Sequence, residues 1–313
     1  MSVDSAGAEI QVICGPTAAG KSAIALWLAG RGASTIVSAD SRQIYRGFDI
    51  GTAKPNVDER MRVAHCGIDV VDPTQRYSAA AWAASANTWI EDALRTGRTP
   101  LVVGGTGLYL RALFEGLYHE PQTDAAKRRE LEIWLGGLPV DELRRWTKTL
   151  DPARAHLGRT QLSRAIEIAL LTGHRVSELH RDRASAPRWR PRYLVVDPGA
   201  PLGGRISARL DDMLSHGWTD EVERLMQTVP PDAPAWNATG YDAVRRLIRG
   251  DLARLEAREA ILIQTRQYAK RQRTWFRHQL PPDRVTRVNP LAPDWREVVT
   301  RWADGGSRRE VTA

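Results

Sequence analysis

Gly15-Pro16-Thr17-Ala18-Ala19-Gly20-Lys21-Ser22 fills every fixed position of a G-x-x-x-x-G-K-[ST] phosphate loop. The chemistry of such a segment is the gripping of a di- or triphosphate. Its glycines let successive backbone N–H groups turn inward, and the helix that follows adds partial positive charge at its N-terminus. Lys21 would reach an outer phosphate, and the Ser22 hydroxyl would ligate Mg²⁺. Two further groups bring chemistry. Asp40 closes an apolar run, where its carboxylate would ligate Mg²⁺, take a proton from a nucleophile, or simply cap a helix. Thr106, inside Gly104-Gly105-Thr106-Gly107, could offer its hydroxyl to a phosphate or leaving oxygen, with a mere tight turn as the competing view. Near the far end, at about 100° per residue, Arg266, Lys270, Arg273 and Arg277 share one helix face, opposite Ile261, Tyr268 and Trp275. No acid stands at i±4 to those cations, so the stripe fits a self-neutralised surface poorly and suits phosphates of RNA or of a diphosphate.

These groups need a frame. The first hundred residues alternate strand-like and helix-like segments, the pattern of an α/β parallel sheet. The apolar run 10–14 enters the phosphate loop as a buried strand, and 23–29 leaves it as a helix. Residues 35–38, 68–71 and 100–103 read as further strands, with helices over 78–94 and 108–114. Ligands of such sheets bind beyond the carboxyl ends of the strands, where the phosphate loop, Asp40 and Thr106 all fall. Between 117 and 192 the segments 125–135, 141–147 and 160–171 read as helices with no strand among them. A strand at 192–196 then returns the chain to the sheet. Helices follow at 205–215 and 218–226, two more come after residue 241, and 285–288 reads as an edge strand. The expected architecture is therefore an α/β fold: a P-loop-type parallel sheet flanked by helices, built from 1–116 and 193–313, with a helical insertion domain at 117–192.

Composition narrows the classes. At 313 residues, 42% hydrophobic and 26% charged, the chain reads as soluble and globular, and no apolar run approaches a membrane span. Met1 to Ala8 shows neither a basic nor an apolar signal region. Two cysteines are too few for a disulfide scaffold or a four-ligand zinc site, so a reducing cytoplasm fits, with Cys14 a buried, inert thiol. The net charge of +8 points only weakly to a polyanion, because arginine so outnumbers lysine that genome composition could account for it. Placement of charge has to carry that argument. A phosphate-loop hydrolase usually ends a second apolar strand in an acid, whereas Leu101-Val102-Val103 runs into Gly-Gly-Thr. Hydrolysis is thus not the obvious reaction, and a diphosphate could be held as a leaving group.

Taken with Asp40-Ser41-Arg42-Gln43-Ile44-Tyr45, Asp49-Ile50-Gly51-Thr52-Ala53-Lys54-Pro55, Tyr77-Ser78-Ala79-Ala80, Gly104-Gly105-Thr106-Gly107-Leu108-Tyr109, Gly240-Tyr241 and the block 265–277, the phosphate loop resembles the bacterial tRNA dimethylallyltransferases, the tRNA isopentenyltransferase or IPP transferase family. The resemblance runs from about residue 10 to 278. It implies transfer of a dimethylallyl group from dimethylallyl diphosphate to N6 of the adenosine 3′ of the tRNA anticodon. On that footing residues 15–22 hold the diphosphate rather than ATP, with Mg²⁺ on Ser22, and Lys21 joins the catalytic set. Asp40 becomes the general base, and Thr106 contacts the reacting end. Asp40, Ser41, Arg42 and Gln43, then Asp124, then Gln161, Leu162, Ser163 and Arg164, fall where the family touches tRNA, and the insertion would embrace the anticodon stem–loop. The basic helix, through Arg266, Lys270 and Arg273, would add RNA or diphosphate contacts. Leu157-Gly158-Arg159-Thr160-Gln161 and Asn237 depart from the family's usual residues. The expected form is a monomer with no membrane partner. Competing readings are an adenylate isopentenyltransferase acting on free nucleotide, a P-loop kinase or NTPase, and a non-catalytic RNA-binding protein.

Overall fold

Three apolar strands end at one level, and that shared level creates the site. In the computed structural model, which describes residues 7–116, 123–179 and 188–305, Cys14 of β1 (Ala8–Cys14) pairs with Gly104 of β4 (Thr99–Gly104). Gly104 in turn pairs with Ala39 of β2 (Ser34–Ala39). The phosphate loop, the Asp40 turn and the Gly105–Gly107 turn thus leave the sheet side by side. With β3 (Ala64–Cys66), β5 (Trp189–Val196) and β6 (Val285–Val288), the six strands form one parallel sheet in the order β3-β2-β4-β1-β5-β6. Val12, Ile13, Val37, Val102, Leu194 and Val196 are buried, as continuous apolar runs must be in a sheet covered on both faces.

The helices are α1 (Lys21–Ala29), α2 (Val57–Arg62), α3 (Ala79–Arg95), α4 (Gly107–Glu115), α5 (Ala125–Gly137), α6 (Val140–Leu150), α7 (Arg159–Thr172) and α8 (Val176–Leu179), then α9 (Leu202–Ser215), α10 (Trp218–Thr228), α11 (Tyr241–Ile248), α12 (Arg254–His278) and α13 (Trp295–Ala303). The chain divides into two compact units, Met1–Phe114 with Pro187–Ala313, and Glu115–Ala186. The expected insertion boundary at 117, the first six residues and the tail from 306 lie outside the described residues. Within the smaller unit Leu135, Leu143, Leu162 and Ile166 form the core of α5, α6 and α7. The strand β5 begins at Trp189 rather than 192, because 189–192 already pair with 8–11 of β1. Exposed Arg190 interrupts the apolar pattern there.

One expected strand is corrected. Residues 68–71 are a loop, and β3 lies just before them. Gly67 at φ +78° and Asp69 at φ +54° adopt the left-handed region, which turns the chain out of the sheet. The segment instead docks on residues 43–44, through Asp69 N–H to Gln43 O at 3.1 Å and Val71 N–H to Ile44 O at 3.0 Å. The Asp69 carboxylate accepts from Lys54 at 2.6 Å and from Arg60 at 2.8 Å, which holds its own pKa below the usual carboxylate range.

The segment 49–55 is held by a buried acid. Glu221 accepts the Asp49 N–H at 3.0 Å, the Ile50 N–H at 2.6 Å and the Tyr241 hydroxyl at 2.6 Å. Burial, and then the neighbouring Glu221, push the Tyr241 hydroxyl well above its ordinary pKa. Trp218 closes the same junction: a Cβ on Gly51 would lie 2.2 Å from its Nε1, and one on Gly240 2.5 Å from its ring. Two separate sequence motifs therefore meet on α10. Glu221→Ala strands two amides and a hydroxyl in the interior and should cost about 3 kcal/mol. Tyr241→Phe, which spares the amides, should cost about 1 kcal/mol. Urea denaturation of the two variants checks both the order and the sizes.

Candidate active site

Strain and close approach shape the phosphate loop. Gly15 has φ +146°, and a Cβ there would lie 2.2 Å from Val196 O. Ala18 carries a left-handed φ of +59°, and Gly20 opens α1 at +102°. Four side chains brace the loop. Lys21 Nζ donates to Pro16 O at 2.7 Å, and Arg205 Nε to Ala18 O at 2.8 Å. Arg209 reaches Thr17 Oγ1 at 3.5 Å, and Thr17 N–H donates to Gln272 Oε1 at 2.8 Å. A cavity of about 360 Å³ opens there, with Lys21, Ser22, Asp40, Arg209, Tyr268 and Arg271 in its walls. A second cavity of about 480 Å³ shares Lys21, Ser22 and Arg209 and adds Arg205.

Burial and charge perturb both cations. Burial, then the Arg209 charge, push Lys21 down to about 8, with Asp40 pulling the other way. Burial likewise lowers Arg209, opposed by Asp40. Cys14, fully buried beneath the loop, has its thiol pushed up by that burial, which is the inert state expected. Asp40 uses Oδ1 to accept the Arg42 N–H at 2.9 Å, a local turn rather than a helix cap. Thr106 Oγ1 accepts the Ser41 N–H at 3.0 Å, so the turns after β2 and β4 are tied together. Gly104 is required where the strands touch, since its Cβ would meet Ala39 O at 2.1 Å. Asp40, Thr106 and the phosphate loop, far apart in sequence, belong to one set of strand ends.

Over this set lies α12. Its residues Tyr268, Gln272 and Trp275 stand at i, i+4 and i+7, one stripe of the helix. Tyr268 hydrogen-bonds to Thr106, and burial pushes its hydroxyl up to about 12. The helix face that the sequence assigns to aromatic anchoring is thus the site-facing one. Arg209 and Gln272 were not among the residues expected here. A signal existed for the first, since Arg205 and Arg209 are spaced i, i+4 on one helix, but nothing in the sequence orients that face.

Arg266, Lys270 and Arg277 are exposed, as the stripe predicts. Arg273 is half-buried and paired. Its guanidinium donates to Asp197 at 2.9 and 2.5 Å and to Gly199 O at 2.6 Å, a half-exposed ion pair within the fold. The partner follows β5 and is invisible to a search of the helix's own i±4 neighbours. Gln43 is similarly engaged: it accepts from Ser38 Oγ at 2.9 Å and donates to Thr52 O and Ala53 O at 3.2 and 3.0 Å. Ser41 and Arg42 line the large cavity.

In the smaller unit Asp124 caps α5, accepting from Ala126 N–H at 2.8 Å and Lys127 N–H at 3.1 Å, which lowers its pKa. Gln161 is exposed and Ser163 half-buried on α7. Leu162 is corrected: it is fully buried in the helical core, so its side chain has no RNA to reach. Arg164 pairs with Glu167 of its own helix.

Among the described residues no three His, Cys, Asp or Glu side chains cluster as a metal cage. That donor set still suits Mg²⁺, which takes one or two protein oxygens and completes its shell with phosphate and water. Ser22 and Asp40 offer such oxygens to the cavity. Among the described residues no helix is long and apolar enough to cross a membrane.

Comparison with known proteins agrees on one family. Residues 43–279 match the family model described as IPP transferase. The match begins after the phosphate loop, which therefore rests on its own pattern and geometry. The tRNA dimethylallyltransferase of Thermomicrobium roseum is 38% identical over 308 residues, covering 96% of this chain and 92% of the relative. That of Burkholderia ambifaria is 41% identical over 297 residues, 91% of each chain. The crystal structure of the tRNA isopentenylpyrophosphate transferase from Bacillus halodurans aligns with a TM-score of 0.67 at 31% identity, covering 95% of both chains.

Proposed function

The chain belongs to the IPP transferase family, and from that premise we infer that it transfers a dimethylallyl group from dimethylallyl diphosphate to N6 of the adenosine 3′-adjacent to the tRNA anticodon, releasing diphosphate. It is a prenyltransferase that modifies tRNA. The observation that carries the reading is a single cavity with the phosphate-gripping Lys21 and Arg209 and the Asp40 carboxylate all in its walls.

The exocyclic amine of adenine is a weak nucleophile, so most of the barrier must fall through stabilisation of the leaving group. As N6 bonds to the allylic carbon, the carbon–oxygen bond breaks and the diphosphate departs with the electron pair. Lys21, Arg209 and the loop N–H groups meet the charge that grows there. Mg²⁺ held by Ser22 would neutralise more of it. Asp40 takes the proton released from N6. Ile206, Leu210 and Met213 supply apolar wall that keeps water from the allylic carbon. The target base must leave its stack to reach this cavity.

For tRNA, the exposed cations of α12 and the helical insertion are the proposed contacts. Lys270→Ala should weaken tRNA binding and reduce the salt slope by about one. Arg273→Ala should leave that slope unchanged and instead lower stability by about 1 kcal/mol, since its partner is Asp197. Binding titrations at several salt concentrations, with a denaturation curve for each variant, separate the two. We place the reaction in the cytoplasm and its catalyst as a monomer, which light scattering with and without tRNA checks.

Incubation with labelled dimethylallyl diphosphate and unmodified tRNA, then nucleoside analysis, tests the reaction. Label should appear on N6 of one adenosine. Transfer of a terminal phosphoryl group from ATP with tRNA untouched, or label on free AMP alone, would overturn it.

A further inference from the structure

The reaction needs the diphosphate on one loop and the acceptor beside another, at a fixed separation. One buried side chain spans the two. Gln272 is 6% exposed. Its Oε1 accepts the Thr17 N–H of the phosphate loop at 2.8 Å, and its Nε2 donates to Gly105 O at 2.9 Å. Only one amide orientation satisfies both ends, because the backbone group at one is a donor and at the other an acceptor. The turn after β4 is built around this side chain: a Cβ on Gly105 would lie 2.2 Å from Nε2. One helical turn on, a Cβ on Gly107 would lie 2.3 Å from the Trp275 ring. Thr106 sits between these two glycines, bonded to Ser41 N–H beside Asp40.

We propose that Gln272 is a positioning residue, a strut that fixes the spacing between the phosphate loop and the Gly104–Gly107 turn and so aligns the departing diphosphate with the attacking amine. The proposal rests on the transfer reaction inferred above. Gln272 acts through backbone groups of both loops. Without it the diphosphate still meets Lys21, Arg209 and the remaining loop N–H groups, so donor binding persists. What is lost is alignment, which is felt in the transition state.

Steady-state kinetics on the full-length enzyme with tRNA and dimethylallyl diphosphate provide the test. In Gln272→Ala, kcat should fall about tenfold to a hundredfold while the donor KM stays within about threefold. Gln272→Glu keeps an acceptor for Thr17 but turns a carboxylate oxygen on Gly105 O, and its kcat should fall at least as far. Gly105→Ala should show a comparable loss, because its methyl displaces Nε2. The same change made in Gln272→Ala should add little, since Nε2 is gone and the nearest remaining atom, Gly15 O, stands 3.3 Å from the new methyl. Should Gln272→Ala not fold, Gly105→Ala and Gln272→Glu carry the same kcat comparison. A kcat for Gln272→Ala within twofold of wild type, a loss confined to KM, or losses that multiply in the double variant overturns the strut with the reaction intact. A wild-type enzyme that leaves tRNA unprenylated overturns the reaction, and the strut with it.

Discussion

Asp40→Asn lowers kcat by about two to four orders of magnitude, the usual worth of a general base, while the protein stays folded. The substitution separates two jobs of one side chain. Oδ1 accepts the Arg42 N–H at 2.9 Å and so shapes the turn after β2. An asparagine oxygen accepts that bond equally well, and the turn survives. What disappears is basicity and negative charge. The charge matters to its neighbours too, since Asp40 supports the protonated forms of Lys21 and Arg209. Asp40→Ala removes the turn acceptor as well, and its melting temperature should fall below that of Asp40→Asn. Single-turnover measurement isolates the chemical step from tRNA release. A single-turnover rate for Asp40→Asn within tenfold of wild type would remove the base from the mechanism.

How far such a site can be read from sequence depends on where each constraint originates. The phosphate loop was legible because its demands are local: glycines at fixed positions, a strand before and a helix after. The strand ends carrying Asp40 and Thr106 followed from alternating elements and from the rule that ligands bind beyond them. Residues 68–71 misled because Ile68, Val70 and Val71 look like a strand, while the deciding facts, left-handed Asp69 and its ion pairs with Lys54 and Arg60, are tertiary. The ion pair of Arg273 is hidden for a related reason: a helix inspected alone shows only its own acids, and Asp197 comes from beyond β5. Leu162 entered as a neighbour of RNA-facing positions, although its helix turns it into the core. Glu221 left no signal, and Gln272 none beyond its place in the block 265–277. Each is an ordinary polar residue on a helix until backbone groups from distant loops converge on it. Motifs that hold ligands are written along the chain; struts that hold motifs are written across it.

Lys21 yields the second large effect, through its removal and through pH. Lys21→Ala should lower kcat/KM for the donor by about a hundredfold to a thousandfold, the scale of losing one donor to a developing oxyanion. The wild type should lose the same interaction by titration. Burial and the Arg209 charge bring Lys21 from the usual 10.5 down to about 8. Below that pH the ammonium attracts the diphosphate; above it the amine is neutral, so kcat/KM should fall as pH rises through 8. Donor binding near pH 8 should accordingly take up a fraction of a proton, which calorimetry in buffers of different ionisation enthalpy detects. Arg209→Met removes the second cause of the shift, so the falling limb should move to higher pH. In Lys21→Ala the limb should vanish. Stability runs the opposite way. Between about 8 and 10.5 the unfolded chain holds a proton that the folded chain has released, so the donor-free protein gains stability with rising pH across that window. Urea midpoints of wild type measured against Lys21→Ala should diverge in that direction over those pH values. A flat difference would mean that the ammonium is already neutralised within the fold and is not waiting for a phosphate.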